Sequence, residues 1–248
     1  TPRLPPDIRV FERGWLSSNN VLCLGDQSAV VDTGHVKHAA ETVHLVDAAL
    51  QGRPLADIAH THLHSDHISD MFVLRYALRQ LADSGVKMSL PLPLIAPEEP
   101  REEARMLAAS GAYELCAAAD GLQLRIGDAR IRLHRMTHPV PAYAVSVEHE
   151  GKRFIYTGDT GMRDDLREVC YGADMLLAGV NYLDEEHPGP GAPHLSAGEA
   201  GRLAREAWVK RLLCTHVRGT LCDTEKLMAQ VRRHFPEAEL AKELETYA

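Results

Sequence analysis

Apolar positions in the first half of the chain alternate between short β-branched runs and stretches of helical spacing. VLCL, a GDQ turn and SAVV form a hairpin pattern between Val10 and Val31, which stops at Asp32-Thr33-Gly34. From Lys37 to Leu50 the apolar residues Val43, Leu45, Val46, Ala49 and Leu50 recur at helical spacing, and Gly52 with Pro54 closes the segment. LADIAHTH reads as a buried strand, LHSDHISD as a polar loop and MFVLRYALRQLAD as a helix, so a run of histidines falls on a strand-to-helix loop. PLPLIAP is a strand between prolines, and the stretch from Pro100 to Ser110 is a helix stopped at Gly111.

The second half repeats this grammar. LQLRIGDARIRLHRMTH predicts a hairpin around Gly127-Asp128, and AYAVSVEHEGKRFIYTGDTG another around Glu150-Gly151, its last strand ending in a Gly-Asp-Thr loop. DMLLAGV, a Pro/Gly loop, the helix AGEAGRLAREAW and the strand KRLLCTH follow. Strands with interspersed helices, twice over, predict an α/β (α+β) chain of two facing sheets with helices on the outer faces. One unit over residues 1–248 is expected, made of two halves at roughly 1–115 and 116–248.

Composition narrows the function classes. Of 248 residues, 45% are hydrophobic and 25% charged, enough apolar content for a sizeable core. A formal net charge of -8 and a pI near 5.9 supply no general attraction for phosphate backbones, which disfavours nucleic acid as partner and favours a small-molecule substrate. The five cysteines form no C-x-x-C pair and no disulfide framework. No apolar run reaches the roughly 18 residues of a membrane span, and the expected location is cytoplasmic.

The densest chemistry lies in THLHSDH, residues 61–67, where His62, His64, Asp66 and His67 offer four potential ligands. In extended backbone residues two apart project to one side, so His62 and His64 can share one ion, while Asp66 and His67, after the chain turns, can face a second. Imidazole with carboxylate suits zinc, manganese or iron, whereas calcium prefers an all-oxygen shell. His138 in MTHP, Asp159 in TGDT and His216 in CTH each close a strand at a loop, and strand ends can converge on one edge. Asp159, between Gly158 and Thr160, is placed to bridge two cations.

The HxHxDH run at His62 to His67, with His138, Asp159 and His216 following in order, resembles the hallmark of the metallo-β-lactamase superfamily. That resemblance implies an αββα sandwich, His62, His64 and His138 on one ion, Asp66, His67 and His216 on the other, and Asp159 between them. THPVPAYAVSVEHEGKRFIYTGDTG and HLSAGEAGRLAREAWVKRLLCTH resemble the ribonuclease Z and phosphodiesterase-like branch, which makes His194 the general acid. GWLSSNNVLCLGDQSAVVDTG instead resembles glyoxalase II-like thioesterases and lactonases, and an iron-dependent redox protein is a third use of this scaffold.

The implied activity is hydrolysis by a hydroxide held between two divalent ions, Zn2+ or alternatively Mn2+ or Fe, with Asp66 orienting it; a phosphodiester is the expected substrate and a homodimer the expected assembly. Asp32, at its strand end, is a candidate to hold a metal-bound imidazole in the required tautomer. Trp15, Asn19, Asn20 and Tyr143 read as packing or turn residues, Cys214 and Cys222 as ordinary thiols, and His35, His38 and His44 as a solvated helix face.

Overall fold

A computed structural model describes residues 7–11, 19–24, 28–33, 39–85, 90–109, 111–218, 222–242 and 246–247. The predicted strands of the first half appear as β1 (Ile8–Phe11), β2 (Asn20–Cys23), β3 (Ser28–Val31), β4 (Leu55–Ala59) and β5 (Leu92–Ala96). β6 (Tyr113–Ala117), which the sequence pattern did not suggest, pairs in parallel with β5. The second sheet holds β7 (Gln123–Ile126), β8 (Ala129–Arg135), β9 (Tyr143–His149), β10 (Lys152–Tyr156), β11 (Met175–Tyr182), β12 (Leu195–Ser196), β13 (Leu212–Thr215) and β14 (Glu239–Leu240). β15 (Thr246–Tyr247) crosses back to pair antiparallel with β1, so the orders are β15-β1-β2-β3-β4-β5-β6 and β14-β13-β11-β10-β9-β8-β7, with β12 on β11.

The helices are α1 (Ala39–Leu50), α2 (Ser65–Ile68), α3 (Met71–Asp83), α4 (Arg101–Ala108), α5 (Leu166–Cys170), α6 (Ala197–Glu206) and α7 (Thr224–Arg232). α2 is a single turn inside LHSDHISD, which the sequence reading treats as loop. The segment after KRLLCTH adds α7, whose N-cap Asp223 accepts from Lys226 N at 2.9 Å.

Strand periodicity distributes side chains between three cores. Val10, Val21 and Val31 meet Val145, Phe154, Tyr156, Leu177 and Leu213 between the sheets. Their sequence neighbours Leu22, Val30, Ile58 and Leu94 point the other way and pack under α1, α3 and α4 with Val46, Met71 and Leu107. Ile155, Leu176 and Ala178 likewise pack under α6 and α7 against Leu203, Leu227 and Val231. Both faces of the central strands are therefore buried, as period-2 alternation requires when helices cover each sheet. Each fully buried large side chain contributes about 1.5–3 kcal/mol.

Strand direction brings the polar strand ends together. β3, β4 and β5 are mutually parallel, so their C-terminal ends share one edge. β10, β11 and β13 are parallel too, and β8, two antiparallel steps from β10, runs the same way. Gly161 clamps a loop at this edge. A β-carbon there would lie 1.8 Å from the Ala192 carbonyl oxygen, too close for any side chain. We expect Gly161→Ala to lower the unfolding free energy by about 1–3 kcal/mol, the range for overpacking. Urea denaturation would check this, and an unchanged midpoint would show that the 190s loop yields freely.

Candidate metal centre

His60, Thr61 and His62 follow β4, His64 precedes the α2 turn, and His67 lies within it. His138 follows β8, Asp159 follows β10, His194 precedes β12, and His216 follows β13. Their side chains meet where the two sheets face each other. Donor atoms of His62, His64, His138 and Asp159 lie within 4.8 Å of one another, as do those of His67, Asp159 and His216. Asp159 belongs to both groups. Its Oδ2 is 3.5 Å from His62 Nε2 and 3.8 Å from His67 Nε2, and its Oδ1 is 3.5 Å from His216 Nε2. The Asp66 side chain lies outside the described residues, as do His35, His38 and Trp15.

The imidazoles are held from behind. His67 Nδ1 donates to Asp32 Oδ2 at 3.1 Å, His138 Nδ1 faces Pro193 O at 3.2 Å, and His62 Nδ1 faces Thr61 Oγ1 at 3.1 Å. His216 Nδ1 lies 3.4 Å from Asn181 Nδ2. These contacts engage Nδ1 and leave Nε2 directed at the cluster, while His64 presents Nδ1, 3.2 Å from His138 Nε2. Asp32 does more than hold His67. Its carboxylate accepts from Thr61 N and Thr61 Oγ1, both at 2.8 Å, and its carbonyl accepts from Asn20 Nδ2 at 2.9 Å.

Asp32 (φ 54) and His216 (φ 57) both occupy the left-handed region, unfavourable for side chains other than glycine. Each residue ends a strand, and the positive φ turns the chain sharply at the cluster.

The electrostatics suit cation binding. Burial disfavours the charged form of Asp159, but the imidazoles of His216, His62, His67 and His194 outweigh it and hold the carboxyl well below its usual range. Burial pushes His62 down, and His67 adds to the effect, so the ring is neutral near pH 7. His138 is lowered as well, mainly by burial. Neutral imidazoles and an ionised carboxylate are the protonation states that a metal ion requires of its ligands. Among the described residues, buried His62 Nε2 and Asp159 Oδ1 have no hydrogen-bond partner. Orphaned polar atoms at such depth are costly, and a shared cation would satisfy them. The residues present therefore fit a metal centre.

His194 sits at the open side, its Nδ1 4.0 Å from Asp159 Oδ2 and its ring stacked on His216 at 5.4 Å between centroids. Ser196 caps α6. Its Oγ accepts from Glu199 N at 3.3 Å, Glu199 Oε2 accepts from Ser196 N at 2.9 Å, and Asp184 Oδ1 accepts from Ser196 Oγ and Gly198 N. This braces the segment that carries His194. Asn19, read as a packing residue, donates to Thr215 Oγ1 at 2.7 Å next to His216.

Sequence reasoning missed Thr61, His60 and Asn181. Thr61 could have been found, because its hydroxyl immediately precedes the first ligand histidine, His62, at a strand end; Asn181 carries no such signal.

A family model described as Beta-lactamase superfamily domain matches residues 29–217, and the chain belongs to that superfamily. Within the superfamily it is similar in sequence to proteins named metallo-hydrolase and ribonuclease Z. The protein named Probable metallo-hydrolase YhfI of Bacillus subtilis is 27% identical over 193 residues, 78% of this chain and 76% of that protein. Ribonuclease Z of Salinispora arenicola is 31% identical over 137 residues, 54% of this chain but only 43% of the relative. The crystal structure of the metallo-beta-lactamase fold protein YhfI from Bacillus subtilis superposes with a TM-score of 0.82 at 24% identity, covering 96% of this chain and 98% of that one. The structure of a diphosphatase from the PhnP family gives 0.67 at 17% identity, covering 92% and 82%. The predicted αββα architecture is thus the observed one.

Two predictions arise here. Removing the Asp32 carboxylate frees His67 to rotate, so Asp32→Ala should weaken metal binding about 10–100-fold, as expected for an outer-shell partner. Titration with zinc against a competing chelator would measure it, and an unchanged affinity would show that Asp32 only shapes the strand end.

Asp70, beside this network, accepts from Thr33 Oγ1 at 2.5 Å, and burial pushes its carboxyl up from 3.8 to about 6. A raised folded-state value means the folded chain retains a proton that the unfolded chain releases. The stabilisation is full below pH ~4 and is lost as pH rises through ~6, up to about 3 kcal/mol in all. Between those limits the wild type should lose stability relative to Asp70→Asn. Urea denaturation across the window reads this directly, and parallel curves for the two proteins would refute it.

Proposed function

We propose that this chain is a binuclear metal-dependent hydrolase acting on a small phosphodiester. One cation would be held by His62, His64 and His138 and a second by Asp66, His67 and His216, with the Asp159 carboxylate available to both. Asp66 enters this set from its place in the HxHxDH run. The observation that carries the proposal is the shared buried carboxylate of Asp159, faced by His62 and His67 on one oxygen and by His216 on the other. When bound, two such divalent ions, zinc by the chemistry of the donors, lower the pKa of a water from 15.7 toward ~7 and stabilise negative charge on a substrate oxygen.

The chain's own residues set up the rest. Asp159 stays ionised because four imidazoles surround it, which balances part of the cationic charge. Asp66 is assigned the orientation of the attacking water, and His194 the donation of a proton to the departing oxygen. The hydrophobic packing behind the strand ends excludes water from the floor, so the charges act in a medium of low dielectric.

Support for the phosphodiester class comes from the relatives named ribonuclease Z and from fold neighbours named as a PhnP-family diphosphatase and yeast PDE1. Support for a small substrate comes from the acidic balance, which supplies no general attraction for a nucleic-acid backbone. Among the described residues no helix is long and apolar enough to cross a membrane.

The test is elemental analysis of the purified chain with hydrolysis of bis-p-nitrophenyl phosphate before and after chelation and metal return. Two metal ions per chain with chelator-sensitive cleavage is the expected result. Cleavage of thioesters or lactones alone would replace the phosphodiester reading with a glyoxalase II-like one, and one iron ion with no hydrolysis would overturn the hydrolase. Asp159→Ala should abolish turnover. His194→Ala should retain the metals and lower kcat by about 10²–10⁴, the usual loss for a general acid. Unchanged turnover by Asp159→Ala with both metals bound would sink the assignment.

A further inference from the structure

Beside the candidate metal centre, on the same edge of the sandwich, lies an open cleft of about 590 Å3, lined in part by Glu98, Glu99, Arg101, Arg135, Pro141 and Tyr143. Its size is that of a small-molecule site. Three connections tie it to the centre. His60 N donates to Ile95 O at 2.9 Å, so the chain leaving β5 toward Glu98 departs beside the segment His60 to His62. Tyr143 N donates to Thr61 O at 3.0 Å. Arg135 ends β8 three residues before His138. A molecule whose reacting bond lay at the histidines would extend its remote part into this cleft.

Arg135 is the cleft's prepared feature. Its guanidinium lies 5.5 Å from the centroid of the Tyr143 ring and donates through NH1 to Tyr143 Oη at 3.4 Å. Tyr143 is buried, and its hydroxyl donates to Ala118 O at 3.0 Å, so the platform is fixed. Arg163, paired with Asp165, donates to the Arg135 carbonyl and holds the backbone. Among the described residues no carboxylate pairs with the guanidinium of Arg135 or Arg101. Packed beside a ring and in no ion pair among the described residues, Arg135 presents a donor fork that suits phosphate or carboxylate.

Glu98 and Glu99 on the same cleft repel a ligand that is anionic throughout and accept hydrogen bonds from hydroxyl or N–H groups. The two sets of residues together suit a polar ligand that carries an anion at one point.

We propose that this cleft is a second subsite of the same active site, and that Arg135, assisted by Arg101, anchors an anionic group of the substrate remote from the scissile bond. The substrate class is a phosphodiester whose leaving part is a hydroxyl-bearing sugar or nucleoside carrying a second phosphate or carboxylate. This rests on the phosphodiester reading of the metal centre, and Arg135 acts in it as a specificity residue.

The experiment compares adenosine 3′,5′-bisphosphate with adenosine 5′-monophosphate by titration calorimetry on the full chain, with zinc restored and again after chelation. The wild type should bind the bisphosphate about tenfold tighter, the gain of one added charge-assisted contact. That ratio should fall to about one in Arg135→Gln and stay partial in Arg135→Lys. Arg101→Gln, an exposed helix position, serves as a second variant and should reduce the ratio less. Equal affinities in the wild type, or a ratio unchanged in both glutamine variants, overturn the subsite. A ratio that collapses as expected in a chain with no phosphodiester turnover supports the cleft and removes the catalytic reading. Turnover with a wild-type ratio near one removes the cleft alone.

Discussion

The buried carboxylate of Asp159 among the imidazoles of His62, His67, His194 and His216 is the constraint around which the working edge of this protein is arranged. An ionised carboxylate at this depth is expensive unless groups that favour its charge surround it. Here the compensating groups come from three separate strand ends and two sheets, so the cost is met only when the whole sandwich is assembled. Backbone details serve that assembly. Thr157 Oγ1 accepts from Gly179 N at 3.0 Å, and a β-carbon at Gly179 would lie 2.9 Å from Gly158 O, so β10 and β11 can close behind the carboxylate only with glycine there.

Two opposing electrostatic effects act within a few ångströms of each other. For His62 burial wins, and the ring stays neutral; for Asp159 the neighbouring imidazoles win, and the carboxyl stays ionised. The difference follows from what each group faces. Asp159 is surrounded by groups that favour its charge, whereas His62 sees other imidazoles, which oppose a positive charge, and only one carboxylate. The outcome is a donor set prepared for a cation before any arrives. The tethers on Nδ1 add orientation to that charge state, and the left-handed backbone at Asp32 and His216 shows where the fold accepts strain to aim the set.

The two sheets divide the labour. The first supplies the histidine-rich segment and the Asp32 brace; the second supplies His138, Asp159, His194 and His216 together with the guanidinium of Arg135. Contacts between sheets, such as Tyr143 N to Thr61 O and Asn19 Nδ2 to Thr215 Oγ1, therefore link stability of the inter-sheet core to geometry at the site. On the second sheet β8, next to the edge strand β7, has Arg130 and Arg132 exposed while Ile131 and Leu133 are buried. The helices thus leave this end open, and the cleft occupies the neighbouring rim.

Much of this was legible along the chain. Apolar runs and helical spacing located most strands and the longer helices, because a strand covered on both faces is apolar throughout whereas a helix buries one stripe. The His62 to His67 cluster was legible because so many ligand-type side chains rarely crowd a short polar loop by chance, and His138, Asp159 and His216 because each stops an apolar run. β14 and β15, two residues each, were not, since such short strands carry little pattern of their own, and neither was β6, whose mostly exposed YELCA carries no apolar run. The pairing of β15 with β1, the back-bonding of Asp32 to His67 and Thr61, and the meeting of Asn181 with His216 depend on residues far apart in sequence. So does the seating of Arg135 on Tyr143, a contact across β8 and β9 that register decides. Chemistry carried by residue type and spacing was written in the sequence; which nitrogen faces inward, which charge is left without a partner and which cleft adjoins the site were decided by packing, because only the folded chain sets those distances.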